Sequence, residues 1–251
     1  MAETGYLLYG RRTVEEFLRT HPAPGDATAM LLQDSLPAAL RDRLIAAFPH
    51  AAVQAVPRRE LDQRHPGIHH QGVVLHLKKA PGPGTERLED LADRHAGLLV
   101  LLDRIQDPHN LGSIARSAEI LGAAALLLHG PGARVDETVH RVSSGASLHI
   151  AAFELKTLGQ SLDRLKKQGY WICAAVPEAG RDPRHRYHTD LGDLPAASEL
   201  VLAVGGEGSG LKPLILERAD YQISVRQTGK TESLNAGVAC ALLMDRLINR
   251  S

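Results

Sequence analysis

Aromatic residues are scarce in this chain: Phe, Trp and Tyr together make up 4% of its 251 residues. A core of ordinary size must therefore come mainly from Leu, Val, Ala and Ile, within a hydrophobic share of 43%. No run of about 18 apolar residues occurs, so no transmembrane helix is expected. Cysteine is nearly missing. Cys173 and Cys240 stand far apart in apolar stretches and read as reduced core thiols, not as a disulfide framework. The opening MAETGYLLYGRR lacks the basic-then-apolar order of a signal peptide, and a cytoplasmic protein is expected. An excess of either charge is lacking too, with 29 Lys and Arg against 29 Asp and Glu. That balance excludes a protein held on nucleic acid by bulk charge, so any RNA contact must come from local clusters. The 13 His residues add positive charge only where their pKa is raised.

What is present falls into two parts. Residues 6–78 read as a small α/β unit. Val14, Phe17 and Leu18 share one helical face. Ala27 to Leu32 and Ala51 to Val56 read as strands, with a helix from Pro37 to Phe48 between them. Val73 to Lys78 alternates apolar and polar and reads as a half-buried strand. Arg58, Arg59, Arg64, His65, His69 and His70 fall close together, as a solvated loop or an RNA-contacting edge. Pro81, Gly82, Pro83 and Gly84 then break any helix or sheet, which puts a linker at 79–95 and divides the chain into 1–78 and 96–251.

From Gly97 onward strands alternate with helices. Leu98 to Leu102 and Leu200 to Val204 are continuous apolar runs, the mark of strands buried on both faces. Further strands are read at Ala124 to Leu128, Leu148 to Phe153, Tyr170 to Val176 and Gln222 to Val225. Helices are read at Leu111 to Leu121, Val139 to Ser144, Leu158 to Gln168 and Leu211 to Glu217. The expected fold class is α/β, with a mostly parallel sheet covered on both sides. Residues 177–198 read as a long connection. The stretch Leu234 to Met244 carries no charge, which predicts a helix enclosed on every face.

Three polar loops follow apolar strands. In the first, Asp107-Pro108 sets a turn, Asn110 is positioned to cap the following helix, and Arg116 points away from the core side. In open α/β sheets ligands sit at the carboxyl ends of the strands, where this loop lies. The second loop is Gly205-Gly206-Glu207-Gly208-Ser209-Gly210. Its glycines permit close backbone approach, and Glu207 would repel a phosphate. It is neither a dinucleotide fingerprint nor a P-loop. The third holds Ser233, Leu234 and Asn235 at the mouth of the last helix.

LLDRIQDPHNLGSIARSAEILGA, LVLAVGGEGSGL and TESLNAGVA resemble the three motifs of the SpoU (TrmH-type) RNA 2′-O-ribose methyltransferases of the SPOUT class, in the same order, across 96–251. YGRRTVEEFLR and HHQGVV are similar to the substrate-binding domain of the ribosomal RNA branch, an L30e-like α/β domain. The resemblance implies a deep trefoil knot at the C-terminal end, an exception to the near absence of knots. It also implies a homodimer whose active site borrows from the partner, and S-adenosyl-L-methionine as cofactor. Neither a metal nor a membrane is implied. The aligned catalytic set is Asn110, Arg116, Glu207, Ser233 and Asn235; the aligned cofactor positions are Gly205, Val225 and Leu234. Val225-Arg226-Gln227 departs from the usual Ile-Pro-Met of the family, and losing the proline loosens that loop.

The resemblance implies S-adenosylmethionine-dependent 2′-O-methylation of ribosomal RNA, of the large-subunit 23S type. Arg116 is the residue expected at the ribose. An arginine is charged at any ordinary pH and makes a poor base. Its expected role is therefore to clamp the phosphate beside the target ribose, with Asn110 orienting it and Ser233 and Asn235 fixing the loop. Two alternatives stay open: a transfer RNA 2′-O-methyltransferase, and a non-catalytic RNA-binding or ribosome-assembly factor of the same fold.

Overall fold

The computed structural model describes residues 5–20, 25–48, 51–81, 88, 97–177, 186–188, 199–229 and 234–249. The expected linker at 79–95 falls mostly outside them, as does Ser233.

The first sheet is built from β1 (Tyr6–Tyr9), β2 (Ala27–Gln33), β3 (Ala52–Val56) and β4 (Val73–Leu77), in the order β1-β4-β2-β3. β4 pairs antiparallel with β1 and β2, and β2 pairs parallel with β3. Helices α1 (Arg11–Thr20), α2 (Ala38–Ala47) and α3 (Arg58–Arg64) complete this half. α1 buries Val14 and Phe17, while Leu18 is only partly covered.

Two expectations fail here. Arg58–Arg64 is a helix, seated by the burial of Leu61, although its charged residues read as a loop. β4 is also not half-buried. Val73, Val74, Leu75 and Leu77 are all buried, because α3 brings Leu61 against Val74, Tyr9 and Leu31 on the second face of the sheet. The β1 strand was not anticipated at all; its four residues are too few for periodicity to register.

The second sheet has seven strands: β5 (Leu98–Asp103), β6 (Ala125–His129), β7 (Ala151–Leu155), β8 (Trp171–Ala175), β9 (Arg186–His188), β10 (Leu200–Gly205) and β11 (Tyr221–Ile223). Their order is β7-β6-β5-β10-β8-β11-β9, and every pair is parallel. Side chains alternate faces along a strand. In β5, Leu98, Val100 and Leu102 face one layer, containing α4 (Pro108–Leu121), α5 (Glu137–Val142) and α8 (Ala236–Ile248). Leu99 and Leu101 face the other, containing α6 (Leu158–Lys167) and α7 (Pro213–Arg218). Two covered faces explain why β5 and β10 are continuous apolar runs. The expected strand at Leu148 to Phe153 is instead a 3-10 turn at Ala146–Leu148 followed by β7.

α8 corrects another expectation. It buries Ala236, Gly237, Cys240, Leu243, Met244 and Leu247, but Val238 is 49% and Leu242 40% exposed. The missing charge marks an apolar outer face within this chain, not enclosure on all sides.

The two halves dock through the segment 138–149. Leu148 enters the core of the first half. The Glu16 carboxylate meets His149 Nε2 at 2.6 Å, and the Tyr9 hydroxyl meets Thr138 Oγ1 at 3.4 Å. Gly145 (φ +91°) makes this approach possible: a Cβ there would lie 2.6 Å from Glu16 Cβ.

Candidate active site

The three polar loops meet at the carboxyl ends of β5 and β10. The Asn110 amide donates to Glu207 Oε1 at 3.1 Å. The Asn235 amide donates to both Asn110 Oδ1 and Glu207 Oε1, each at 2.8 Å. Residues from three distant segments thus close a triangle around one carboxylate oxygen.

Each corner is set by local chemistry. Asn235 is the N-cap of α8, its Oδ1 accepting from the N–H groups of Gly237 and Val238. One amide therefore does two jobs: its oxygen caps a helix and its nitrogen bridges the other two loops. Gly237 lets this end of α8 lie close to α4, since a Cβ would sit 3.3 Å from Ser113 Oγ.

Asn110 is not the cap of α4, contrary to expectation. Asp107 takes that position, accepting from His109 N, with Pro108 opening the helix. This frees the Asn110 side chain, one turn in, for Glu207 and Asn235.

The Glu207 loop is pressed against the loop after β5. Gly206 N donates to Asp103 O, and Gly210 N donates to Gly206 O. A Cβ on Gly205 would stand 2.2 Å from the Gly210 carbonyl carbon, and one on Gly206 2.5 Å from Arg104 O. Both neighbours are backbone, so neither can swing aside, and only glycine fits. Gly205 ends β10 and is partly exposed.

Sequence reasoning missed Asp103. It is fully buried at the end of β5. Its Oδ1 meets His129 Nδ1 at 2.8 Å, and its Oδ2 accepts from Lys212 N at 2.8 Å and Arg104 Nε at 3.3 Å. Arg104 in turn donates to Gly210 O at 3.2 Å. Asp103 thus holds both ends of the glycine loop, the near end through its backbone carbonyl and the far end through its carboxylate, which also ties β5 to β6. A charged residue ending an apolar run was the available signal.

Arg116 lies apart from the triangle in this chain. It is exposed on α4, and its Nη1 donates to Ser144 Oγ at 3.5 Å. Six residues of helix separate it from Asn110, roughly 9 Å of rise. The expected orientation of Arg116 by Asn110 is not found; Ser144 holds it instead. Val225 is half-buried against the core below the sheet ends, and Leu234 is 37% exposed beside Asn235.

The donor set suits an organic ligand with a cationic centre. A lone carboxylate, two amides and close-approach glycine backbone meet there. No group of three or more His, Cys, Asp or Glu able to hold a metal occurs among the described residues. Nor is any of their helices long and apolar enough to cross a membrane.

The chain is similar to known proteins over most of its length. The profile of the SpoU rRNA Methylase family matches residues 97–245. That for RNA 2′-O ribose methyltransferase substrate binding matches residues 7–83. A putative TrmH family tRNA/rRNA methyltransferase of Bacillus subtilis, YacO, is 35% identical over 76% of this chain and 75% of its own. The 23S rRNA (guanosine-2′-O-)-methyltransferase RlmB of Pseudomonas aeruginosa is 31% identical over 97% of this chain and 96% of its own. Among solved structures, the SpoU methyltransferase AviRb from Streptomyces viridochromogenes, in complex with AdoMet, has a TM-score of 0.74 at 24% identity. It covers 96% of this chain and 88% of its own. An RNA 2′-O ribose methyltransferase has a TM-score of 0.79 at 22% identity, covering 99% and 90%. By its matched profiles, its relatives and its fold, the chain belongs to the SpoU rRNA methylase family and is an RNA 2′-O-methyltransferase.

Proposed function

We propose that this enzyme methylates a ribose 2′-oxygen of ribosomal RNA, of the large-subunit 23S type, with S-adenosyl-L-methionine as methyl donor. The hydrogen-bonded triangle of Asn110, Glu207 and Asn235 carries this reading, because it joins the three loops that one pocket requires. The 23S preference is supported by the relative from Pseudomonas aeruginosa, whose likeness runs nearly the length of both chains. The cofactor is supported by the AdoMet-bound neighbour of the same fold. Residues 1–78 present the RNA and 96–251 act on it.

The cofactor's contacts are assigned to Gly205, Val225 and Leu234. When bound, it would supply an activated methyl group on a sulfonium, whose sulfur leaves as a neutral thioether when the methyl passes to the ribose oxygen and the hydroxyl proton is lost to solvent. The protein's own contribution is placement and charge. Holding two reactants in line contributes on the order of 7–11 kcal/mol. Arg116 clamps the phosphate beside the target ribose through its fork of N–H donors. That contact lowers the cost of charge building on the hydroxyl oxygen. Asn110, Glu207 and Asn235 hold the loops in register, and Ser233 is assigned to the same catalytic set.

The protein acts as a homodimer, with the partner completing the site around Arg116. Ile120 on α4 (66% exposed) and Val238 and Leu242 on α8 support this, since they leave an apolar outer face on two helices that pack together. A threaded, knotted C-terminal end accounts for the meeting of α8's first turn with the loop after β10.

Arg116→Ala tests the assignment. Methyl transfer to ribosomal RNA falls by a factor on the order of a hundred or more, the usual loss of one charge-stabilising group, while calorimetry shows unchanged binding of S-adenosylmethionine. Loss of cofactor binding in that variant would remove Arg116 from the substrate side.

A further inference from the structure

A cleft of about 760 Å³ lies where the first half meets the second, lined by Arg11, Arg12, Arg58 and His69, among others, and by Ser144 across the domain junction. Ser144 is also the residue that accepts the hydrogen bond of Arg116. The basic cleft and the proposed catalytic arginine therefore share a wall. Resting on the reading of RNA as substrate, we propose that this cleft holds the phosphate backbone of the bound RNA, in the same subunit as the Arg116 it feeds.

The walls are built to present positive charge. Arg11 Nε donates to Gln71 O at 2.9 Å, and Arg11 N donates to Gln71 Oε1 at 3.2 Å. One guanidinium is thereby fixed with its outer N–H groups left for a ligand. Arg12 is exposed and makes no hydrogen bond or ion pair with the described residues. Arg58 sits 3.7 Å from Asp62, a loose and exposed pair of little energetic weight.

Asp62 is the one acid in the lining, and it is already engaged. Buried His70 takes the Gly72 N–H on its Nδ1, which leaves the ring's proton on Nε2, 2.9 Å from Asp62 Oδ1. Three guanidinium groups against one tethered carboxylate make the cleft electropositive in a protein with no net charge. Gln71 on one wall and Ser144 on the other both hold left-handed backbone, with φ of 52° and 56°, a costly geometry for residues other than glycine.

The size argues for a stretch of polymer. A cleft this large exceeds what one inorganic anion fills and lies in the range of nucleotide-sized ligands. Guanidinium groups are forked donors of the kind that bind phosphate oxygens.

The probe is labelled poly(U), titrated against the full-length protein over a range of salt. The Arg12→Ala/Arg58→Ala double variant is expected to bind roughly 100-fold more weakly at low salt. Its slope of log affinity against log salt should be shallower by about 1.4, near 0.7 for each phosphate contact on a single strand. Arg43→Ala, an exposed change on α2 outside the cleft, is expected to leave the slope alone. Thermal unfolding confirms that each variant is folded. An unchanged slope in the double variant, or an equal change in Arg43→Ala, overturns the cleft. Wild-type protein that methylates ribosomal RNA while the double variant keeps its KM overturns the cleft alone. Wild-type protein that methylates no RNA overturns the underlying reading with it.

Discussion

Asn235 can be split experimentally into its two roles. Its Oδ1 caps α8 and its Nδ2 bridges to Asn110 and Glu207. Asn235→Ala removes both. Loss of an N-cap costs about 1 kcal/mol, and the two exposed amide bonds add roughly 0.5 kcal/mol each. The total is about 2 kcal/mol, or about 4–8 °C in unfolding temperature for a chain of this size. Asn235→Asp keeps the cap, because Asp caps as well as Asn. It replaces the donors with a carboxylate facing Glu207 at hydrogen-bond distance, a repulsion of roughly 1.5 kcal/mol in water. That repulsion is screened by salt, whereas a missing cap is not. The aspartate variant should therefore regain stability between low and high salt, and the alanine variant should not. Thermal unfolding by circular dichroism at two salt concentrations reads the difference, and both variants should lose methyl transfer. Wild-type stability of Asn235→Asp at low salt would refute the bridge between the three loops.

Gly205→Ala forces a methyl group into the Gly210 backbone. It should cost about 1–3 kcal/mol, as overpacking does, and abolish S-adenosylmethionine binding measured by calorimetry. His140 is buried beside Ser147 Oγ at 2.7 Å, and burial pushes its pKa down to about 4. The unfolded chain protonates near 6.5 and the folded one does not, so stability is lost as pH falls from about 6.5 to 4, by about 3 kcal/mol in all. In urea unfolding, the stability of wild type relative to His140→Gln should fall as pH drops across that window and stay constant above it. Burial likewise raises the Cys240 thiol to about 12, and Cys173 is also buried. Neither should react with a disulfide reagent until the protein unfolds, which a thiol titration in native and denaturing buffer checks.

Much of the second half was legible because its strands are covered on both faces. Leu98 to Leu102 and Leu200 to Val204 could be little else, and the loops after them drew attention to Asn110 and Glu207. What the residues could not reveal was pairing between distant segments. Asn110 read as a cap because a cap is local, yet Asp107 holds that position and Asn110 bonds across 97 residues to Glu207. Asp103 went unseen because its partners, His129 and Lys212, lie far along the chain. The charged helix Arg58–Arg64 was hidden by having only Leu61 to bury. The final helix misled for a related reason: absence of charge reports an apolar face, without saying that the rest of the chain covers it.

The adjacency of β5 and β10 bears on how the protein is made. These two strands touch along their full length, yet the ribosome delivers the second only after everything between them, on the order of ten seconds later at ordinary translation rates. During that wait the earlier strand exposes an apolar edge with no permanent neighbour. Such non-local pairing folds slowly, and a nascent chain halted before Leu200 would need shelter from aggregation, most plainly from a chaperone.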